Sequence, residues 1–336
     1  MDPLLVITPQ GLYCPQGDFF IDPWAKVHRA VITHAHADHA RAGHQYYLCH
    51  TDSAPLLKLR LGESIQVQTL GYGEVLNVRG VHISFYPSGH VIGAAQVSIS
   101  YQGQVWVVSG DYKVVDDGLT PAFEPVRCHV FVSESTFGLP VYHWAPQEIL
   151  QRRLVQWVHD VRGRGQIPVL IGYSLGKAQR LLHMLKDEAL SCWLHPAIYA
   201  IHEALLAHQP ALARKLPPVQ LFQPPGNRKA LQDGVLLIPP AARESKWLDR
   251  LEPCVTGYCS GWMQIRGRAR QQTADAAFAI SDHADWPGLI AAIEATQAEE
   301  VWVTHGYAHT LARYLREEKH LHAIDIQSPF TEETEE

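Results

Sequence analysis

The sequence contains few cysteines, and no two of them form a Cys-x-x-Cys pair. Six cysteines in 336 residues predict neither a disulfide framework nor a zinc site built from thiolates. The chain also lacks an apolar run near the roughly 18 to 20 residues that a membrane helix needs. Residues 1–8 do not show the basic-then-apolar order of a signal peptide. These absences predict a cytoplasmic protein without a membrane segment.

Charged residues are also scarce, at 18% of the chain, whereas hydrophobic residues reach 46%. This composition predicts a globular protein with a substantial core. The formal net charge of −6 is unevenly distributed. Residues 140–270 hold 17 Lys and Arg against 9 Asp and Glu, a local charge of +8, and the rest of the chain carries −14. The basic segment indicates either a phosphate-binding surface or an ordinary set of solvated helix faces.

The apolar pattern changes near residue 140. Before this point, runs rich in Val, Ile, Tyr and Phe predict strands at 29–33, 81–86, 104–108 and 129–133. After it, helical spacing from Pro146 onward alternates with strand patterns, with strands at 168–171 and 235–238 and helices at 176–186 and 202–215. Such alternation is typical of an α/β domain with parallel strands. Residues 276–336 return to strand and helix, which indicates that one domain is inserted into another.

The most informative motif is His-Ala-His-Ala-Asp-His at 34–39, directly after the strand predicted at 30–33. Four such side chains cannot all be buried in a core, because each needs a polar partner. Imidazoles with a carboxylate suit zinc, with manganese as the alternative. The spacing assigns His34 and His36 to one ion. It assigns Asp38 and His39, on the turn into a predicted helix, to a second ion.

Three further candidate ligands follow other predicted strands, where each strand opens into a Gly-containing turn. They are His90, Asp111 and His305. Side chains in such positions can converge from different strands. The predicted set places His34, His36 and His90 on one ion and Asp38, His39 and His305 on the other, with Asp111 bridging them.

The order and spacing of these motifs resemble the metallo-β-lactamase fold, a four-layer α-β/β-α sandwich with metals at one edge of its two sheets. By this resemblance Asp22 supports the histidine loop without binding metal, and a simple turn cap is the alternative. The segments 133–136 (Ser-Glu-Ser-Thr), 281–285 (Ser-Asp-His-Ala-Asp) and 304–306 (Thr-His-Gly) occur in the order that marks the β-CASP nucleases. These enzymes cut DNA or RNA and carry an α/β cap inserted in the fold. The resemblance covers residues 12 to about 325.

The resemblance implies two divalent ions, zinc or manganese, that activate water for phosphodiester hydrolysis. It further implies that His283 is the general acid, that Glu134 orients it, and that Asp38 and Asp111 complete the catalytic set. We therefore expect core segments at 1–138 and 271–330, a cap insert at 139–270 and an acidic tail at 331–336.

The segment Gly-Tyr-Ser-Leu-Gly-Lys at 172–177 lies between a predicted strand and a predicted helix. It matches the nucleophile elbow of a serine esterase, with Ser174 as nucleophile. It also fits a phosphate cradle formed by free backbone N–H groups with Ser174, Gly176, Lys177 and Arg180. We favour the cradle, because an esterase leaves the motif at 34–39 without a purpose. A similar Tyr-Ser-x-Gly-Lys segment occurs in the DNA-repair branch of the β-CASP nucleases.

Among the β-CASP nucleases, the chain most resembles the bacterial ligase-associated DNA exonucleases. This resemblance implies exonucleolytic cleavage of DNA in repair and end processing, with a functional link to DNA ligase and helicase. His305 keeps an alternative open. Histidine is typical of RNA-processing members at this position, whereas eukaryotic DNA-cutting relatives commonly have Val. An RNA-processing β-CASP ribonuclease is therefore the alternative, with RNA as the nucleic-acid partner.

Overall fold

A computed structural model of the chain describes residues 3–224, 228–271 and 274–326. It divides into two compact units. Unit 1 comprises the described residues up to His143 and from His283 onward, and unit 2 comprises Trp144–Asp282. Unit 2 begins 5 residues after the boundary expected at 139, and unit 1 resumes 12 residues after the boundary expected at 271. Assignment of these segments to core and cap stays a prediction, and the acidic tail at 331–336 lies outside the described residues.

The strands and helices are numbered along the chain. The strands are β1 Val6–Thr8, β2 Gly11–Cys14, β3 Phe19–Ile21, β4 Arg29–Ile32, β5 Tyr46–His50, β6 Val67–Leu70, β7 Val75–Val78, β8 Val81–Pro87, β9 Ala95–Tyr101, β10 Gln104–Val108, β11 Val130–Glu134, β12 Ile167–Ile171, β13 Ser191–Leu194, β14 Val219–Leu221, β15 Gly234–Ile238, β16 Cys254–Cys259, β17 Ala276–Phe278, β18 Glu300–Thr304 and β19 His322–Asp325. The α-helices are α1 Ala54–Leu61, α2 Gln147–Gly163, α3 Lys177–Leu185, α4 Pro196–His208, α5 Arg266–Gln271, α6 Trp286–Thr296 and α7 Ala308–Glu317.

Unit 1 is built on two mixed sheets. In the first, the strand order is β1-β2-β3-β4-β5-β6, and β3 to β6 run parallel. In the second, the order is β19-β18-β11-β10-β9-β8-β7. Both β8 and β10 are antiparallel to β9, so these two strands share a direction, and β11 and β18 continue it. The C-terminal ends of β8, β10, β11 and β18 therefore lie at one edge of the second sheet.

The side chains of β11 alternate between two cores, as the period of a strand requires. Val130 and Val132 belong to a buried cluster that joins the facing sides of the two sheets. Phe131 points the other way, into a cluster with Leu289 of α6 and Leu311 of α7. Unit 1 is thus an α/β structure in which two packed sheets carry helices on the outer face of the second. The fourth layer of the expected sandwich stays a prediction.

Unit 2 is built on one sheet with the order β14-β13-β15-β12-β16-β17, in which every neighbouring pair is parallel. This agrees with the parallel α/β pattern predicted for the segment. Helix α2 begins directly after Pro146, and its buried residues, Leu150, Leu154, Val158 and Val161, lie on one face. The helical periodicity read from the sequence therefore marks the buried side of α2.

The helix predicted at 202–215 is placed differently. Helix α4 covers Pro196–His208, so it starts earlier, where His195 accepts a hydrogen bond from the backbone N–H of Ala197. It stops before Pro210, which begins a separate 3-10 helix. Proline has no N–H to continue an α-helix and disfavours helical geometry in the residue before it. Pro210 therefore explains the early end.

All six cysteines are free thiols, in line with the expected absence of a disulfide framework. Within the described ranges, no helix is both long enough and apolar enough to cross a membrane.

Candidate metal centre

Residues from several strand ends meet beside the second sheet. Glu134 is the last residue of β11, and His305 directly follows β18. The loop after β4 of the first sheet is joined to the second sheet by a 2.9 Å hydrogen bond from the Ala95 N–H to the Thr33 carbonyl. Because these ends share one edge, side chains far apart in sequence come together.

The motif at 34–39 adopts turns rather than leading into a helix. The expected helix after His39 is absent from the described residues, and β5 starts at Tyr46. One helical-type hydrogen bond joins the Ala40 N–H to the His36 carbonyl at 2.8 Å. The few residues before β5 are too short for a stable helix.

The first ligand group consists of His34, His36, His90 and Asp111, whose ligand atoms all lie within 4.8 Å of one another. The Nδ1 atom of His36 lies 3.1 Å from His34 Nε2 and 3.2 Å from His90 Nε2. The Oδ2 atom of Asp111 lies 3.5 Å from His34 Nε2 and 3.8 Å from His90 Nε2. Two nitrogens bound to one tetrahedral zinc at about 2.0–2.1 Å lie about 3.3 Å apart. The spacing of the three histidines therefore fits a single ion.

The second ligand group consists of Asp38, His39 and His305. The Nε2 atom of His39 lies 3.6 Å from Asp38 Oδ2 and 3.4 Å from Asp111 Oδ1. This buried nitrogen has no hydrogen-bond partner among the described residues. A bound cation would relieve the cost of leaving it unpaired. Asp111 presents one oxygen to each group, which is the arrangement that a bridging carboxylate needs.

The electrostatics of the two groups also suit a cation. Burial and neighbouring His39 hold the pKa of His34 well below its usual value, and the same causes lower the pKa of His305. Burial alone would lower the pKa of His39, but the carboxylates of Asp111, Asp38 and Asp22 together hold it well above its usual range. Burial would raise the pKa of Asp111, but His39 and His283 keep it well below its usual range. The centre thus combines two imidazoles that favour the neutral form, those of His34 and His305, with carboxylates that favour positive charge nearby, which suits a divalent cation.

Asp22 lies behind the second ligand group. Its Oδ2 accepts a 2.7 Å hydrogen bond from His39 Nδ1 and a 2.6 Å hydrogen bond from the Thr33 hydroxyl, and its Oδ1 accepts from the Thr33 N–H at 2.8 Å. The bond to Nδ1 leaves Nε2 of His39 facing Asp38 and Asp111. This geometry supports the role expected for Asp22, which stays a prediction.

Replacing Asp22 by Asn is expected to weaken metal binding by about 10- to 100-fold, because outer partners of ligating histidines contribute this much. The amide would keep the size of the side chain but lose the charge that orients His39. Competition with a fluorescent chelator measures the affinity. Asp18→Asn is the matched control, since Asp18 pairs with Arg29 and Arg79 at the surface. Equal affinity in Asp22→Asn and the native protein would contradict the role.

Gly110 allows the loop after β10 to approach the histidine motif. Its φ is +54°, and a Cβ atom there would lie 2.6 Å from the Thr33 side chain. A larger residue would therefore push Asp111 away from the loop that carries His34 and His39. The nearby residue Lys113 donates its N–H to the Ser88 carbonyl at 3.0 Å, which ties this loop to the turn that carries His90.

His283 and Glu134 form a pair beside the first ligand group. The Nδ1 atom of His283 lies 3.0 Å from both carboxylate oxygens of Glu134. Glu134 is itself held by the N–H groups of Tyr112 at 2.8 Å and Thr136 at 3.3 Å. The imidazole centroid of His283 lies 4.6 Å from that of His90. A histidine held at Nδ1 by a carboxylate keeps its other nitrogen for proton transfer.

Ser135 is a site residue that the sequence analysis missed. Its hydroxyl donates to the carbonyl oxygens of Thr304 and His305, and its own carbonyl accepts from the Tyr307 N–H at 2.9 Å. The residue ties the end of β11 to the turn that carries His305. Its position in Ser-Glu-Ser-Thr, beside Glu134, was the only signal that could have found it.

In unit 2, the residues predicted to cradle phosphate have partners of their own. The Nζ atom of Lys177 lies 2.8 Å from Asp282 Oδ2, and Arg180 lies 3.2 Å from Asp282 Oδ1. The N–H of Gly176 donates to the Gln179 side chain at 2.7 Å, so it is not free as a cradle requires. Phosphate binding by Ser174, Gly176, Lys177 and Arg180 stays a prediction. The pairing of Lys177 and Arg180 with Asp282 was not predicted from the sequence.

The esterase alternative requires a histidine to take the proton of Ser174. Over the residues that the structure describes, the Ser174 hydroxyl makes no hydrogen bond to a histidine. This geometry gives no support to a Ser–His pair at the turn.

Comparisons with known proteins connect this geometry to nucleic-acid enzymes. A protein named Probable DNA ligase from Opitutus terrae is 30% identical over 310 residues, which are 91% of this chain and 30% of that protein. Endoribonuclease YSH1 from Kluyveromyces lactis is 32% identical over 130 residues, 38% of this chain and 17% of the relative. The same enzyme from Saccharomyces cerevisiae is 32% identical over 124 residues, 36% of this chain and 16% of the relative. The chain therefore spans under a third of the length of these relatives.

No protein-family model matches the chain. A crystal structure of a protein of unknown function from Enterococcus faecalis V583 superposes with a TM-score of 0.60 at 14% identity, covering 91% of this chain and 80% of that one. This likeness concerns the fold alone. With the ligand groups around Asp111, the similarity to the ligase-named and endoribonuclease relatives supports placing this chain in the β-CASP family of metallo-β-lactamase-fold nucleases.

Proposed function

We propose that this protein is a metal-dependent nuclease that hydrolyses phosphodiester bonds of DNA, exonucleolytically, in repair and end processing. One observation carries the proposal. Asp111 belongs to the first ligand group, lies 3.4 Å from a ligand of the second, and clusters with the His283–Glu134 pair. Metal ligands and a candidate proton donor therefore surround one carboxylate. Hydrolysis of a phosphodiester needs both kinds of group, because a metal activates the attacking water and a proton donor protonates the leaving oxygen.

The residues of the centre have separable tasks in this proposal. His34, His36 and His90 would hold one divalent ion, and Asp38, His39 and His305 the other, with Asp111 shared. When bound, zinc or manganese supplies a nucleophile from water at neutral pH and stabilises negative charge on the phosphoryl oxygens.

His283 has a different task, because it donates a proton rather than binding an ion. It would protonate the leaving oxygen. Glu134, 3.0 Å from Nδ1 of His283, would hold the ring in place and favour its protonated form.

DNA is the favoured substrate because the similarity to the ligase-named protein covers 91% of this chain. That relative carries the matching region within a longer protein whose name refers to DNA ligase. This supports a functional link between the nuclease and DNA ligation. The link to a helicase has no comparable support and stays an expectation.

RNA is the second candidate substrate. The relatives named endoribonuclease match more than a third of this chain, and His305 lies in the second ligand group. A ribonuclease would use the same ligands and the same His283–Glu134 pair. The choice between substrates therefore depends on surfaces outside the centre.

Product analysis with end-labelled single strands tests the proposal. The pure protein is incubated with 5′- and 3′-labelled DNA and with RNA of the same sequence, in zinc or in manganese, and products are sized over time. We expect mononucleotides or short products released progressively from one DNA end, loss of activity after chelation, and recovery when metal returns. Ser174→Ala is expected to keep the catalytic rate.

Four outcomes would count against parts of the proposal. Cleavage of RNA alone would favour the ribonuclease. Internal cuts from the earliest times would contradict the exonucleolytic mode. No cleavage of either nucleic acid in either metal, or loss of turnover in Ser174→Ala with chelators inert, would reject the nuclease.

A further inference from the structure

Two buried cations of α3 are held by one carboxylate in unit 2. Lys177 and Arg180 are 3% and 4% exposed, and Asp282 is 6% exposed. Each cation contacts a different oxygen of Asp282, at 2.8 Å for Lys177 and 3.2 Å for Arg180. Arg180 also donates to the Ser281 carbonyl and, at 2.6 Å, to the Gln147 side chain. We call these five residues the Asp282 clamp.

The burial and pairing of the two cations argue against a surface that simply attracts phosphate. A cation serving an exposed backbone phosphate is expected to be solvated when free, whereas these two side chains are buried and paired. Burial lowers the pKa of Lys177, and the charge of Asp282 opposes that shift. Breaking a buried pair by removing one partner is costly because the other charge is left uncompensated. The clamp therefore fixes the backbone at 281–282 firmly.

The clamped segment leads directly into the candidate general acid. Asp282 immediately precedes His283 in the chain. On the other side of His283, the Ala284 N–H donates to the Tyr112 carbonyl at 2.7 Å. The backbone is thus fixed both before and after the residue whose Nδ1 lies 3.0 Å from Glu134.

We infer that Lys177 and Arg180 are positioning residues for His283, acting through Asp282 and Ser281 rather than by direct contact with substrate. The inference rests on the proposed nuclease function. A displacement of about 1 Å at a catalytic group can lower a rate by about a hundredfold. Loosening the clamp should therefore reduce kcat while leaving metal binding and KM nearly unchanged.

A double-mutant cycle tests the inference on the full chain. The variants are Lys177→Met, Asp282→Asn and the double variant, with kcat, KM and metal content measured on single-stranded DNA. Each single variant is expected to lower kcat by roughly 10- to 100-fold, and the double variant should be no worse than the poorer single one, because coupled residues are not additive. Lys186→Met is the matched control, since Lys186 is exposed at the end of the same helix.

Two milder variants test the inference if a change of charge prevents the protein from folding. Arg180→Lys keeps the charge but loses the fork that spans Ser281, Asp282 and Gln147, and Gln147→Ala removes one contact of that fork. Hydrogen–deuterium exchange of the peptide covering 280–285 should become faster in both. The exchange measurement does not depend on enzymatic activity, so it tests the clamp separately from the nuclease proposal. The nuclease proposal is tested by whether the native protein cleaves DNA.

Other results would overturn the inference. If Lys177→Met raises KM, leaves kcat intact and has the same effect with or without the Asp282→Asn change, the lysine contacts phosphate directly. If the variants fold, keep native kcat and show native exchange at 280–285, the clamp does not position His283. Additive losses in the double variant would also reject coupling through Asp282.

Discussion

Replacing Asp111 by Asn is expected to abolish binding of both divalent ions and to lower the rate of phosphodiester cleavage by about a thousandfold or more. One Asp111 oxygen lies 3.5 Å from His34 Nε2 and the other 3.4 Å from His39 Nε2. Asn keeps the shape of the side chain but removes the shared negative charge. Losing about 4 kcal/mol of metal-derived stabilisation of the transition state corresponds to this factor.

Elemental analysis of the purified variant measures the metal content, and initial rates on end-labelled DNA measure the loss. Asp116→Asn is the matched control, because Asp116 is exposed on the loop that follows Asp111. Circular dichroism verifies that the variant is folded. A folded Asp111→Asn protein that retains two ions and the native rate would show that the carboxylate does not hold the centre together.

Replacing His283 by Gln is expected to lower kcat by about 100- to 10,000-fold, the usual contribution of a general acid. The metal content should stay native, because Nδ1 of His283 lies 3.0 Å from Glu134 and the proposal gives this ring a proton-donor role rather than a ligand role. Glutamine can occupy the space but cannot supply a proton to the leaving oxygen. This combination of full metal content and low turnover distinguishes His283 from Asp111.

A substrate with a better leaving group isolates the proton-transfer step. The p-nitrophenyl ester of thymidine 5′-phosphate releases p-nitrophenolate, which needs no proton, so His283→Gln should recover most of its rate on it. His309→Gln is the control, since the side chain of His309 is exposed and lies outside the centre. An equal loss on both substrates would indicate that His283 serves binding or folding instead of acid catalysis.

The sequence was informative about the candidate centre because its candidate ligands are local signals at strand ends. The motif at 34–39 follows a buried strand, and His90, Asp111 and His305 each follow another. Parallel strand ends share a sheet edge, so the convergence of these side chains could be expected from the strand pattern alone. The parallel sheet of unit 2 was predictable for a similar reason, since helix and strand patterns alternate along it.

Other features depend on contacts that no local pattern encodes. His36 presents Nδ1 rather than Nε2 to His34 and His90, which only the ring orientations reveal. The pairing of Arg180 with Asp282 joins residues 102 positions apart. Lys177 and Arg180 looked like phosphate ligands because Asp282 could not be placed beside them from spacing.

Strands β11 and β18 pair with each other, although all of unit 2 lies between them in the sequence. His34, His36, His90 and Asp111 therefore emerge from the ribosome well before His305, and His283 also emerges late. The first ligand group can be complete in a nascent polypeptide in which the second still lacks its last histidine. In the proposed two-ion centre, the order of synthesis would therefore make the ligands of one ion available before those of the other, and before His283.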